Sequence, residues 1–114
     1  MNQKIKDLIQ RRRLQLLVHS CIYYELDKNI VSDVTWDKWA RELVQLQKDY
    51  PEESKAAIWY DAFEDWDAST GAFLPIKDPW VVKKARYLLS LQNKNLEVPN
   101  KPAAVKKAGT MKLF

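Results

Sequence analysis

Four things are scarce in this chain of 114 residues, and each scarcity removes a class of function. A single cysteine, Cys21, excludes an internal disulfide and any multi-cysteine zinc site. A single histidine, His19, excludes a His-rich metal centre and leaves no second imidazole for an acid–base relay. Two glycines are too few for a Gly-rich phosphate loop. No apolar run approaches the roughly 18–20 residues of a membrane span. The start, MNQKIKDLIQRRR, lacks the apolar core of a signal peptide, so a reducing, cytoplasmic setting is expected. Cys21 and His19 stand two apart, about 200° around a helix, so they do not form a nucleophile pair. Cys21 reads as a small packed apolar residue. Asp33 with Asp37, and the acidic residues Asp61, Glu64 and Asp65, lack a companion acid, base or metal signature. No enzyme, no resident cofactor and no metal site are expected.

What is present describes a folded domain. Apolar residues make up 46% of the chain and aromatics 11%, enough for one modest core at this length. The net charge of +4 is unevenly placed. Residues 1–92 carry 14 basic and 14 acidic side chains, which cancel. Residues 93–114 hold Lys94, Lys101, Lys106, Lys107 and Lys112 against Glu97 alone. The chain therefore divides into a neutral helical domain, 1–92, and a basic tail, 93–114. Lysines without interleaved aromatics read as solubilising sequence, and a nucleic-acid partner is not favoured.

The body reads as helices. Residues 3–26 place Ile5, Leu8, Ile9, Leu16, Leu17, Ile22, Tyr23 and Leu26 near helical spacing. Ser32 is an N-cap, with Asp33 in the first turn, for a second helix reaching about Asp49. That helix buries Trp36, Trp39, Ala40, Leu43 and Leu46 and carries the i,i+4 pairs Asp37–Arg41 and Lys38–Glu42. Pro51 opens a third helix whose stripe is Ala56, Trp59, Ala62 or Phe63, and Trp66. Ala68–Lys77 is a turn-rich connection. Asp78-Pro79 then starts a helix running through Val81, Ala85, Leu88 and Leu89 to about Gln92. Arg11, Arg12 and Arg13 span about 200° of helix surface and read as a solvated face. The expected fold is all-α: a compact bundle of about four helices with no strand.

Residues 14–51, LQLLVHSCIYYELDKNIVSDVTWDKWARELVQLQKDYP, carry a more specific signal. His19, Tyr23-Tyr24, Ser32-Asp33, Trp36-Asp37, Glu42-Leu43, Leu46 and Tyr50-Pro51 form a run of spaced elements along it. This third of the chain resembles the N-terminal helical subdomain Ia of bacterial NAD-dependent DNA ligases, which grips the nicotinamide mononucleotide (NMN) half of NAD. The bundle would then begin with a Ia-like helical hairpin. The resemblance implies that Tyr23 and Trp36 pack on the nicotinamide ring, and that Asp33 and Asp37 hold its amide or the ribose hydroxyls. His19 and Tyr24 are further contributors in this reading. A nicotinamide ring in NAD is a cation, suited to a π-face beside carboxylates, and ribose diols donate well to ionised Asp. Asp33, Trp36 and Asp37 are i, i+3 and i+4, one face of one helical turn.

Two departures matter. Position 24, commonly His near the nicotinamide-side phosphate, is Tyr; position 36, commonly Tyr, is Trp, which keeps the stacking surface and loses the hydroxyl. The resemblance thus carries ring and ribose recognition further than phosphate recognition. No K-x-D-G adenylation motif and no four-cysteine zinc finger occur, so ligation by this stretch is not expected. The expected function is non-catalytic binding of a nicotinamide nucleotide (NMN, NAD or an NAD-derived molecule), to sequester or sense it. The alternatives are an interaction protein docking on a DNA ligase or another NAD-using enzyme, and a nucleic-acid accessory module using Arg11–Arg13 and the Lys tail. A stand-alone module of this kind suits a phage or mobile-element genome. Spacing alone also allows Tyr23 and Trp36 to pack between the first two helices, and Asp33 and Asp37 to be ordinary N-terminal helix charges. Asp67–Pro75 forms either one wall of a pocket above the nicotinamide site or a plain connection.

Overall fold

A computed structural model describes residues 1–96, and every regular element among them is a helix. The elements are α1 (Gln3–Tyr24), α2 (Asp33–Asp49), α3 (Pro51–Ala56), α4 (Tyr60–Phe63) and α5 (Pro79–Leu96). The all-α bundle expected from the sequence is therefore present, with α1–α2 as its opening hairpin. Helix α5 runs past the expected end at Gln92; most of the expected basic tail, 97–114, lies outside the described residues. No described helix is long and apolar enough to cross a membrane.

Local chemistry sets most helix starts. The Asn2 side chain accepts from the Ile5 amide at 3.2 Å, and Ser32 Oγ accepts from the Thr35 amide at 3.1 Å. Asp78 Oδ1 takes the Trp80 amide at 2.9 Å and the Val81 amide at 3.4 Å, with Pro79 as the first helical residue. Pro51 opens α3 in the same manner.

Helix α1 is the axis of the bundle, packing on α2, α3 and α5. Eight consecutive residues, Gln15 to Ile22, are buried. A helix enclosed on all sides needs no polar stripe, which is why apolar spacing understated its burial. Ile9, Leu16, Leu17 and Val18 meet Ala40 and Leu43 of α2, Phe63 of α4, and Val81, Ala85 and Leu88 of α5, all fully buried. Each such large side chain stabilises the fold by roughly 1.5–3 kcal/mol.

Two expectations are corrected. The arginine run is not a common solvated face: Arg11 is exposed, Arg12 pairs with Glu42 of α2 in place of the expected Lys38, and Arg13 is fully buried. The Asp37–Arg41 pair does form, at 3.0 Å. The expected third helix is two short ones, and Arg13 explains the break. Its Nη1 donates to the carbonyls of Ala57 (3.0 Å) and Ile58 (2.9 Å). Its Nη2 donates to Ser54 O (3.0 Å) and Oγ (2.7 Å), and Nε and Nη2 both reach Gln47 Oε1 at 3.0 and 2.8 Å. The guanidinium thus takes one carbonyl of α3, Ser54 O, and the two carbonyls just past its end, Ala57 O and Ile58 O, in place of the amides of a continued helix. Ala57 turns extended, and Trp59 enters α4 at φ 65°, a left-handed conformation rare for a bulky residue. Burial draws the Arg13 pKa down to about 10, opposed by Tyr60, so the group remains charged at neutral pH.

Candidate functional site: a cleft between the hairpin and the 64–78 connection

Three segments enclose a cleft of about 470 Å³. Ser20, Tyr23 and Tyr24 come from the C-terminal end of α1, and Asp33, Val34, Trp36 and Asp37 from the first turns of α2. Ser69 and Thr70 come from the connection between α4 and α5. The volume lies within the range of small-molecule sites.

Each wall is fixed by identifiable bonds. Trp36 Nε1 donates to Ser20 Oγ at 3.2 Å, tying α2 to α1. The Trp36 ring meets Trp66 edge to face at 5.9 Å, and Trp66 meets Phe63 likewise at 5.3 Å. Trp66 Nε1 donates to the Thr70 carbonyl at 2.8 Å, and the Tyr24 hydroxyl lies 2.9 Å from Thr70 Oγ1. Thr70 Oγ1 also accepts from the Ala72 amide at 3.1 Å, and Asp67 Oδ1 accepts from the Ser69 amide at 2.9 Å. Gly71 brings the loop against α1. A Cβ there would stand 2.2 Å from Ser20 Oγ, 2.8 Å from Ser20 Cβ and 3.3 Å from Trp36 Cζ2. Only a residue without a side chain lets the backbone approach that closely.

The rims differ in chemistry. Tyr23 and Tyr24 pack edge to face at 4.8 Å and remain 54% and 44% exposed, so aromatic surface is open to a ligand. Trp36 and Asp37 are half-buried, and Asp33 is exposed. Oδ2 of Asp37 holds Nε of Arg41 at 3.0 Å on the outer side of α2.

The structure brings together Tyr23, Tyr24, Asp33, Trp36 and Asp37 around one opening, with two hydroxyls of the Asp67–Pro75 connection as a further wall. His19 stands apart from them. It is buried, its ring lies 5.5 Å from that of Trp39, and its Nδ1 has no hydrogen-bond partner among the described residues. Burial lowers its pKa from 6.5 to about 4, so the imidazole is neutral. At this level of α1 the residue that faces the cleft is Ser20, one position on and about 100° around the helix, with Tyr23 and Tyr24 in the next turn. Ser20, Tyr23 and Tyr24 are i, i+3 and i+4, a spacing that identifies this face in the sequence once Tyr23 and Tyr24 are taken together. Val34 carries no such signal. Cys21 is wholly buried, and burial, with the charge of Glu25 second, pushes its thiol up from the ordinary value. Among the described residues, no group of three or more His, Cys, Asp or Glu is arranged to hold a metal ion.

Residues 2–57 match the family model of the DNA ligase-like, N-terminal NAD+-binding domain. A DNA ligase of Coprothermobacter proteolyticus is 42% identical over 50 residues, covering 44% of this chain and 8% of the ligase. One from Carboxydothermus hydrogenoformans is 38% identical over 50 residues, with the same coverage of 44% and 8%. One from Fervidobacterium nodosum is 33% identical over 52 residues, 46% of this chain and 8% of the ligase. The chain thus spans about 8% of the length of the curated relatives it matches. No solved structure matches it at a significant level. Ser69 and Thr70 lie beyond the matched residues, so part of the cleft wall comes from outside the matched domain.

Proposed function

Taking residues 2–57 as a DNA ligase-like N-terminal NAD+-binding domain, we propose that the chain binds the nicotinamide–ribose end of NMN, NAD or an NAD-derived molecule without turning it over. The observation that carries this reading is the meeting of Tyr23, Trp36, Asp33 and Asp37 around one cleft. The aromatic faces suit a cationic pyridinium ring, a contact worth roughly 0.5–2 kcal/mol. Asp33 and Asp37 supply acceptors for the carboxamide N–H and the ribose hydroxyls, and charge-assisted bonds of this type are the stronger kind. The hydroxyls of Ser69, Thr70 and Tyr23 add neutral partners for the sugar. Among the described residues, the cleft lining holds no activated nucleophile: the Cys21 thiol and the His19 imidazole both lie outside it. Binding without chemistry then fits sequestering or sensing of the ligand.

Calorimetric titration with NMN, NAD and nicotinamide riboside, with ADP-ribose as the control lacking the ring, tests the reading. At least one of the three should bind more tightly than millimolar while ADP-ribose does not. Trp36→Ala and Asp33→Ala should each weaken that binding at least tenfold with the helical circular dichroism unchanged. Failure of all three ligands would overturn the assignment.

A further inference from the structure

The charge of the cleft walls narrows the ligand. Among the described residues, the cleft lining holds two carboxylates, Asp33 and Asp37, and neither a lysine nor an arginine. The cation beside them, Arg41, is held by Asp37 on the outer face of α2 and is 78% exposed. The positive end of α2 is already met in its first turn by the Ser32 hydroxyl and the Asp33 carboxylate. The hydroxyl of Tyr24, the residue nearest the loop wall, is engaged by Thr70. The other polar side-chain groups of the lining are the neutral hydroxyls of Ser20, Tyr23, Ser69 and Thr70 and the indole N–H of Trp36, which Ser20 engages.

Building on the nicotinamide–ribose reading, we infer that the cleft selects the phosphate-free nucleoside, an N-ribosyl pyridinium such as nicotinamide riboside, over its 5′-phosphate. The pyridinium brings one positive charge to two carboxylates. A 5′-phosphate adds nearly two negative charges at neutral pH beside those carboxylates, with no lining cation to receive them. An anion of that charge is ordinarily held by Arg or Lys, or by an uncapped helix N-terminus. Neither arrangement is found at the cleft among the described residues. The Thr70–Tyr24 bridge closes the loop side of the cleft with hydroxyls, which suit ribose better than a dianion.

The test is calorimetry at pH 7.5 and low salt with nicotinamide riboside, NMN and NAD on the full chain, repeated with Ser69→Lys. The riboside should bind about tenfold or more tightly than NMN. The variant places a cation on the exposed loop wall and should shift the preference at least fivefold toward NMN. Riboside and NMN binding equally, or NMN binding more tightly, overturns the charge-selection inference and leaves the nicotinamide–ribose reading standing. An unchanged preference in Ser69→Lys also overturns the inference. Failure of riboside, NMN and NAD alike removes both.

Discussion

The buried His19 supplies a quantitative prediction about acid. The imidazole is 4% exposed, has no hydrogen-bond partner for Nδ1, and has a pKa lowered from 6.5 to about 4 by burial. A base whose folded pKa lies below its unfolded value binds fewer protons in the folded state. Its neutral form is compatible with the fold above pH 6.5, and stability is lost as pH falls from 6.5 toward 4. Complete passage through that window costs about 3 kcal/mol, and the fall from pH 7 to pH 5 alone costs about 2 kcal/mol. Glu53, whose amide partner Asn2 holds its carboxyl below the usual range, contributes only in the carboxylate range and leaves pH 5–7 to histidine. Urea unfolding followed by tryptophan fluorescence at pH 7, 6 and 5 reads the effect directly, because m-values stay nearly constant while the midpoint moves. His19→Phe keeps a ring against Trp39 and removes the titration, so its midpoint should change by less than a quarter as much over that range. A wild-type loss below about 0.5 kcal/mol between pH 7 and 5, or an equal loss in His19→Phe, refutes the burial account.

Three further outcomes follow from the packing. Arg13→Lys keeps the charge but cannot reproduce the fork that serves Gln47, Ser54, Ala57 and Ile58. With two or more buried carbonyls left unpaired it should lose about 3 kcal/mol in urea unfolding, and a loss under 1 kcal/mol would remove Arg13 as the cause of the α3–α4 break. Gly71→Ala drives a methyl into Ser20. It should destabilise by roughly 1–3 kcal/mol and weaken nicotinamide-ligand binding about tenfold in calorimetry through displacement of the Ser69–Thr70 wall; unchanged affinity would mean that this wall does not touch the ligand. Arg41→Ala removes an exposed ion pair and should change thermal stability by less than about 0.5 kcal/mol, which thermal denaturation reads.

The parts legible in the sequence are those set by neighbours along the chain. Ser32 capping α2, Pro51 opening α3 and Asp78-Pro79 opening α5 depend on three or four consecutive residues, and their positions follow from the sequence. The hairpin face bearing Asp33, Trp36 and Asp37 follows from the 3.6-residue period. What stayed hidden depends on residues far apart in the chain. The helix expected from Pro51 to Trp66 breaks because a guanidinium 41 to 45 residues earlier takes its carbonyls. Arg13 looks like surface in a run of three arginines until α3 is placed over it. His19 lies buried outside the cleft lining for a related reason: α1 is enclosed along residues 15–22, so apolar spacing does not say which of its polar residues face an opening.

The cleft is built from contacts that do not require a ligand. Trp36 is held from behind by Ser20 and from the side by Trp66, Trp66 is held by the Thr70 carbonyl, and Thr70 is held by Tyr24. These bonds form a closed ring joining α1, α2 and the loop, so the aromatic platform is in place before anything binds. The Trp36 side chain therefore has little order left to gain on association, which leaves more of its own contact to appear as affinity. The same ring links the loop to ring recognition: a change at Thr70 or Gly71 reaches Trp36 through Trp66 and Ser20 without touching a ligand. Changes at Asp33, by contrast, alter the rim and the charge at the start of α2, since that carboxylate is exposed and takes no part in the ring. Loop variants should therefore change stability and affinity together, whereas Asp33 variants should change affinity with a stability cost no larger than the roughly 0.3–1 kcal/mol of a first-turn anion, and that division separates residues that shape the cleft from residues proposed to read its occupant.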